Sequence, residues 1–126
     1  MQRILCLTLG DKENGMGHVC RQIVLAQALR ERGIEISFET RANTPGHERL
    51  CLSPFDVYTT PASRRLFSAI IIDIENGPEL SFLRSAREDF KNVIVFGGVG
   101  YKLNGSADEY AALCDLQVYQ GELFDA

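Results

Sequence analysis

The fold is decided by residues 3–33, which read RILCLTLGDKENGMGHVCRQIVLAQALRERG. The apolar run 3–9 predicts a β-strand, and apolar residues at helical spacing predict a helix over 18–32, with Gly33 placed as a left-handed residue just beyond its end. A strand, a glycine turn and a helix N-terminus form an anion-binding site from backbone N–H groups and the helix dipole. We therefore predict that Gly15 and Gly17 contact a bound phosphate.

The rest of the chain alternates strands and helices. Strict alternation over 34–39 predicts a strand with one buried face, nearer a sheet edge than the first strand, whereas the β-branched run 69–74 predicts a strand buried on both faces. Further elements are predicted as strands at 55–59, 93–96 and 116–119, helices at 45–52, 79–90 and 107–113, and a helical turn within 61–67. This pattern implies an α/β fold: a three-layer Rossmann-like domain over 1–126, with a mainly parallel sheet of about six strands.

Composition narrows the class of protein. The chain has 126 residues, of which 45% are hydrophobic, and its net charge of −4 argues against a nucleic-acid partner. We expect no transmembrane segment, since no apolar run approaches the length needed, and no signal peptide. The four cysteines form no C-x-x-C pair, so we predict no metal site and buried free thiols in a reducing cytoplasm.

Two common phosphate-binding loops do not fit the glycine turn. A Walker A loop requires lysine after the second glycine, where this chain has His18. A dinucleotide fingerprint requires glycine at the position of Cys20, and it starts directly at the strand end, whereas residues 10–14 intervene here. Glu39 does lie where a ribose-binding acid belongs, so an NAD-binding domain remains an alternative, although we expect no bound cofactor.

The turn resembles the first loop of glycosyltransferases of the GT-B architecture. It also resembles that of the related hydrolase that cleaves UDP from a UDP-linked deoxy-sugar in pseudaminic acid synthesis. The matching run is Gly15-Met16-Gly17-His18-Val19-Cys20-Arg21, followed by 25–33 and 36–40. Its form Gly-x-Gly-His-Val-x-Arg is closest to that of the hydrolase, and the resemblance covers about residues 3–41. It implies that His18 is the catalytic base.

His18 and Arg21 each have an alternative interpretation without a role in catalysis or binding. The N-terminus of a helix disfavours the imidazolium form, so we expect His18 to stay neutral and able to accept a proton. The alternative is that His18 only caps or packs the turn. Arg21, one helical turn further, faces either a phosphate or solvent, and the solvated arrangement is favoured.

The remaining site candidates come from the sheet. In the strand order 3-2-1-4-5-6, ligands bind beyond the carboxyl ends of strands one and four, where the order reverses. This places Asp73, Glu75 and Asn76 beside the glycine turn, and Gly97 and Gly98 follow the fifth strand. Asp73 is either a ligand contact or a cap of the following turn, and the glycines otherwise only permit a turn.

The resemblance also sets an expectation about completeness. GT-B enzymes have two Rossmann-like domains, the second of which holds most of the nucleotide-sugar donor, and this chain has room only for the first. Residues 75–78 do not match the Asp-His-Tyr-Gly-like segment of the hydrolases. We therefore expect the acceptor-side half of a nucleotide-sugar enzyme, binding a nucleotide-sugar or sugar acceptor and working with a second GT-B-type domain on another chain or in a homo-oligomer. The alternative is a free-standing binding module for a nucleotide or phosphosugar.

Overall fold

Six parallel strands form the centre of this computed structural model, which describes residues 2–12, 14–75, 77–97 and 107–118. The strands lie in the order β3-β2-β1-β4-β5-β6. In chain order the elements are β1 (Arg3–Thr8), α1 (Gly17–Glu31), β2 (Glu35–Glu39), α2 (Pro45–Cys51), β3 (Asp56–Tyr58), a 3-10 turn (Arg64–Leu66), β4 (Ala69–Asp73), α3 (Leu80–Asp89), β5 (Asn92–Phe96), α4 (Ala107–Leu113) and β6 (Leu116–Val118).

The predicted Rossmann-like fold class and strand order are therefore confirmed. Each predicted helix and strand is present, and its ends lie within one residue of the expected bounds, except that Tyr119 falls outside the described residues. All described strand pairs are parallel, including β1 with β4, whose registers run from Ile4 opposite Ala69 to Thr8 opposite Asp73.

Two hydrophobic clusters cover the two faces of the sheet. On one face, α1 and α2 pack over alternate residues of β1, β2 and β4, such as Cys6, Phe38 and Ile71. On the other face, α3 and α4 pack over the intervening residues, such as Leu5 and Ile70. All five residues of β4 are buried because the strand lies inside the sheet with helices on both sides.

The predicted helix ends are also observed. Gly33 has φ of +84° and ends α1 in a Schellman motif, in which the N–H of Ile34 donates to the carbonyl of Leu29. The Thr44 side chain accepts a hydrogen bond from the N–H of His47 and so caps α2, with Pro45 as the first helical residue.

Two expectations were wrong in detail. Ser37 of β2 is buried on the face expected to meet solvent, because the segment after β3 lies over that face, with Ala62 and Phe67 in the same cluster as Leu5, the register partner of Ser37. Cys20 and Cys51 are exposed on α1 and α2, so only Cys6 is a fully buried thiol, although all four cysteines are free. In the part of the chain that the structure describes, no helix combines the length and apolarity that crossing a membrane requires.

Candidate functional site

The carboxyl ends of β1 and β4 lie side by side at the point where the strand order reverses. Thr8 and Asp73, the last residues of these strands, are register partners. Their side chains lie on the same face of the sheet as α1, since Cys6 and Ile71, two residues earlier, pack in the cluster under that helix. The strands therefore direct Asp73 toward the first turns of α1.

Asp73 is fully buried and accepts four hydrogen bonds from α1. Its Oδ1 accepts from His18 Nδ1 at 2.8 Å and from Arg21 Nη2 at 2.6 Å. Its Oδ2 accepts from Arg21 Nε at 2.6 Å and from Gln22 Nε2 at 2.8 Å. Arg21 thus holds the carboxylate with the two-point geometry that favours an ionised partner. The guanidinium also lies over the ring of Phe96, 5.5 Å from its centroid.

The charge of Asp73 is set by competing effects. Burial by itself would raise the pKa of the carboxyl group, but hydrogen bonds from Arg21, His18 and Gln22 outweigh burial and lower the pKa below its ordinary value. The side chain is therefore an anion at neutral pH, compensated by the cation of Arg21.

Both ring nitrogens of His18 face carboxylates. Nδ1 contacts Asp73 as described, and Nε2 lies 3.1 Å from Oε1 of Glu75, a half-exposed residue just after β4. The hydrogen bond to Asp73 raises the pKa of His18, burial opposes this, and the bond to Glu75 raises it further. The expectation that the helix N-terminus keeps His18 neutral was therefore wrong in direction, because two adjacent carboxylates outweigh the dipole.

The glycine loop is tied to the end of β4. The N–H of Gly15, which has φ of +72°, donates to the carbonyl of Asp11 at 2.7 Å. Asn14 donates to the Asp11 carboxylate, and its Oδ1 accepts the backbone N–H of Glu75 at 2.9 Å. Gly17 begins α1, and a Cβ there would meet no atom within 4 Å. Gly15 is thus required by its backbone conformation, whereas Gly17 is not required for space.

A close backbone contact positions the start of this loop. Gly46 donates its N–H to the carbonyl of Gly10 at 2.8 Å, and a Cβ on Gly46 would lie 2.8 Å from the Cα of Gly10. A Cβ on Gly10 would lie 2.9 Å from the Cα of Gly46 and 2.8 Å from Sδ of Met16. Neither glycine of this pair is among the predicted site residues.

The predicted site residues fall into three groups. His18, Arg21 and Asp73 come together in one cluster, with Gly15 and Gly17 in the adjoining loop. Gly97 has φ of +72° and donates its N–H to the carbonyl of Val118 at 2.7 Å, which makes it the turn residue that ends β5. Asn76 and Gly98 lie outside the described residues.

Two members of the cluster are polar residues of α1 outside the apolar stripe of the helix. Gln22 is only 1% exposed, with Nε2 on Asp73 and Oε1 accepting from the Cys6 thiol at 3.5 Å. Arg21 was expected in solvent but pairs with Asp73, and 27% of its side chain is exposed. A buried aspartate at a strand end was the available signal, since it requires donors nearby.

Glu39, the acid of the NAD alternative, is engaged within the protein. Its carboxylate accepts the N–H of Ala62 at 3.3 Å and lies 3.5 Å from Arg64. The side chain thereby ties the segment after β3 to the end of β2. Among the described residues, no group of three or more His, Cys, Asp or Glu side chains could hold a metal ion.

An apolar concavity of about 240 Å³ lies on the other side of the end of β4. Ile74, which separates Asp73 from Glu75, lines it together with Leu7, Pro78 and Phe82. The end of β4 therefore has a charged cluster on its α1 side and an apolar concavity toward α3.

Comparisons of this chain with protein-family models, with curated proteins and with solved structures each find no match. The Rossmann-like fold therefore rests on the observed sheet.

Proposed function

We propose that this chain is the acceptor-side half of a nucleotide-sugar glycosyltransferase or UDP-sugar hydrolase of the GT-B type, with His18 as general base. The observation that carries the proposal is the 2.8 Å hydrogen bond between His18 Nδ1 and the buried, ionised Asp73 at the carboxyl edge of the sheet. The match of residues 15–21 to the glycine–histidine loop of these enzymes supports the same assignment.

The cluster is arranged for proton transfer at one atom. A carboxylate on Nδ1 selects the tautomer with the proton on that nitrogen, so neutral His18 presents Nε2 as the acceptor. Nε2 then removes a proton from the attacking hydroxyl group of an acceptor sugar or from water, and Asp73 stabilises the imidazolium that forms. General-base assistance of this kind contributes about 10²–10⁴-fold to rate.

Arg21 and Gln22 act on Asp73 in this scheme. Both donor groups of Arg21 that face the site are occupied by the carboxylate. We therefore assign Arg21 to charge compensation and positioning, and the phosphate contacts to the free N–H groups of the first turn of α1 beside Gly15 and Gly17. The apolar concavity by Ile74 offers room for an apolar part of the acceptor.

A ligand panel read by NMR tests the proposal. UDP, UDP-N-acetylglucosamine, CMP, NAD and inorganic phosphate are added separately to the ¹⁵N-labelled chain, and the amide signals of residues 15–19 are followed. We expect UDP and the UDP-sugar to shift these signals and NAD to leave them unchanged. UDP release from the sugar is then assayed with the chain alone and with a supplied second GT-B-type domain.

Two variants distinguish catalysis by His18 from nucleotide binding alone. His18→Ala is expected to keep nucleotide binding but to lose the UDP release that the second domain brings, whereas His47→Ala, which lies in α2, changes neither. Binding of UDP with release unaffected by His18→Ala would favour a binding module without catalysis. Absence of UDP release when the chain and the second domain are combined would refute the proposal, and a response to NAD alone would favour a dinucleotide-binding domain.

A further inference from the structure

The contact between His18 and Glu75 depends on a proton. Nε2 of His18 and Oε1 of Glu75 are 3.1 Å apart, and 52% of the Glu75 side chain is exposed. A carboxylate only accepts hydrogen bonds, so this contact requires Nε2–H. On the opposite side of the ring, Nδ1 contacts the buried carboxylate of Asp73. The ring that satisfies both contacts is the doubly protonated imidazolium.

When the imidazolium of His18 loses one proton, the ring can keep a hydrogen bond to only one of the two carboxylates. Asp73 lies closer to the ring at 2.8 Å and is fully buried, so removing one of its four donors is costly. Arg21 Nη2 donates one N–H to Asp73 at 2.6 Å and lies 3.3 Å from Nδ1, so its second N–H has a longer contact with the ring than the 2.8 Å contact between Nδ1 and Asp73. The proton therefore stays on Nδ1 and leaves Nε2, where Glu75 is solvated and loses little.

We propose that Glu75 is a positioning residue for His18, closing over Nε2 when the ring is charged and serving as a second hydrogen-bond acceptor beside Nε2 when the ring is neutral. Two hydrogen-bond acceptors in this arrangement fit a molecule that donates two hydrogen bonds, and water is the smallest such nucleophile. The inference rests on the proposed function in treating Nε2 as the reacting atom, and it favours hydrolysis over transfer to an alcohol. The backbone of Glu75 is fixed by Asn14, so only the side chain must turn.

The water oxygen forms a bond to the anomeric carbon of the UDP-sugar, one of its protons passes to Nε2 of His18, and the bond from that carbon to the phosphate oxygen breaks. The electron pair leaves with UDP. The second proton of the water is held by Glu75 and remains on the new hydroxyl group of the sugar.

Among the described residues, three charged groups contact the ring of His18. Asp73 approaches from β4, Arg21 from α1, and Glu75 from the segment after β4. Asp73 is an anion already held by Arg21, so the proton that controls the contact with Glu75 is the one on His18 itself.

Titration of His18 by ¹H–¹⁵N NMR tests the inference without any nucleotide, so its failure leaves the test of the proposed function intact. Above the midpoint we expect the ¹⁵N shifts of the tautomer with the proton on Nδ1. Glu75→Gln should lower the midpoint by roughly half a pH unit, as expected for a partly exposed ion pair. Glu79→Gln, which removes the same charge from an exposed position four residues later, should leave the midpoint unchanged.

A crystal structure of the chain above that midpoint tests the position of the water. We expect a water molecule bridging Nε2 of His18 and the Glu75 carboxylate. Three results would each overturn the inference. The neutral ring of His18 could keep its proton on Nε2, the midpoint could be equal in Glu75→Gln and the unmodified chain, or the direct contact between Nε2 and Glu75 could persist above the midpoint.

Discussion

Asp73 organises the candidate site at the level of single residues, because four hydrogen bonds from three side chains of α1 converge on its carboxylate. Asp73→Asn removes the charge that Arg21 compensates and replaces one acceptor oxygen with a donor. We expect the free energy of unfolding to fall by roughly 3 kcal/mol, in the range for breaking a buried ion pair, and the pKa of His18 to fall because its main stabilising partner is lost. Urea denaturation and NMR titration measure these effects.

The matched control for this substitution is Asp89→Asn, at the exposed end of α3, where a change within about 0.5 kcal/mol is expected. Equal losses in the two variants would contradict the central role assigned to Asp73.

Gln22 makes a second residue-level prediction, because its side chain is buried between the Cys6 thiol and Asp73. Gln22→Leu keeps a similar volume but leaves Oδ2 of Asp73 with one donor fewer. We expect a loss of about 1.5–3 kcal/mol in unfolding free energy, typical of a hydrogen bond to a charged group. Gln27→Leu, on the exposed side of the same helix, is the control and should change stability little. Unchanged stability in Gln22→Leu would show that Arg21 is a sufficient donor for Oδ2 of Asp73.

At the level of elements, the contact between Gly10 and Gly46 joins the end of β1 to the start of α2. A Cβ on either residue would meet backbone atoms at 2.8–2.9 Å, and backbone cannot move aside as a flexible side chain can. We expect Gly10→Ala and Gly46→Ala each to lower the unfolding free energy by about 1–3 kcal/mol, the usual cost of overpacking. Thermal or urea denaturation measures it.

Gly17→Ala serves as the control for the glycine pair, because a Cβ there meets open space in the first turn of α1. It should be neutral or stabilise by up to about 1 kcal/mol, since alanine restricts the unfolded chain. Equal losses of unfolding free energy in Gly17→Ala and Gly46→Ala would mean that the close contact between α2 and the loop is not the reason for glycine at position 46.

The elements themselves were predictable because their signals are local. Alternating and helically spaced apolar residues lie within the strand or helix that they predict. The residues that mark helix ends, Thr44-Pro45 and Gly33, lie next to those ends. The position of Asp73 at the strand-order reversal followed from topology. The contacts of Gln22 and the pairing of Gly10 with Gly46 were not predictable in this way, since they join residues 51 and 36 positions apart. The protonation of His18 depends on the same distant partners, so the helix dipole alone gave the wrong direction.

For the whole molecule, the shifted pKa values of His18 and Asp73 give stability a defined pH window. Folding raises the pKa of His18 above its ordinary 6.5, so this stabilisation is complete below that value and is lost as pH rises through the folded pKa. Folding lowers the pKa of Asp73 below its ordinary 3.8, so this stabilisation is present above that value and is lost as pH falls through the folded pKa. Asp115, whose carboxylate accepts the N–H of Val93 and pairs with Arg87, adds to the loss on the acid side. These shifts favour maximal stability between about pH 4 and 6.5.

His18→Gln tests whether His18 causes the loss of stability on the alkaline side of that pH range. Urea midpoints measured from pH 3 to 9 should fall on the alkaline side in the unmodified chain, because the imidazolium that bridges Asp73 and Glu75 is lost there. Glutamine carries no titrating charge, so the alkaline decline should flatten in His18→Gln while the acid decline remains. His47→Gln should keep both. An alkaline decline that persists unchanged in His18→Gln would place the responsible proton elsewhere and would remove the raised pKa of His18 as a determinant of stability.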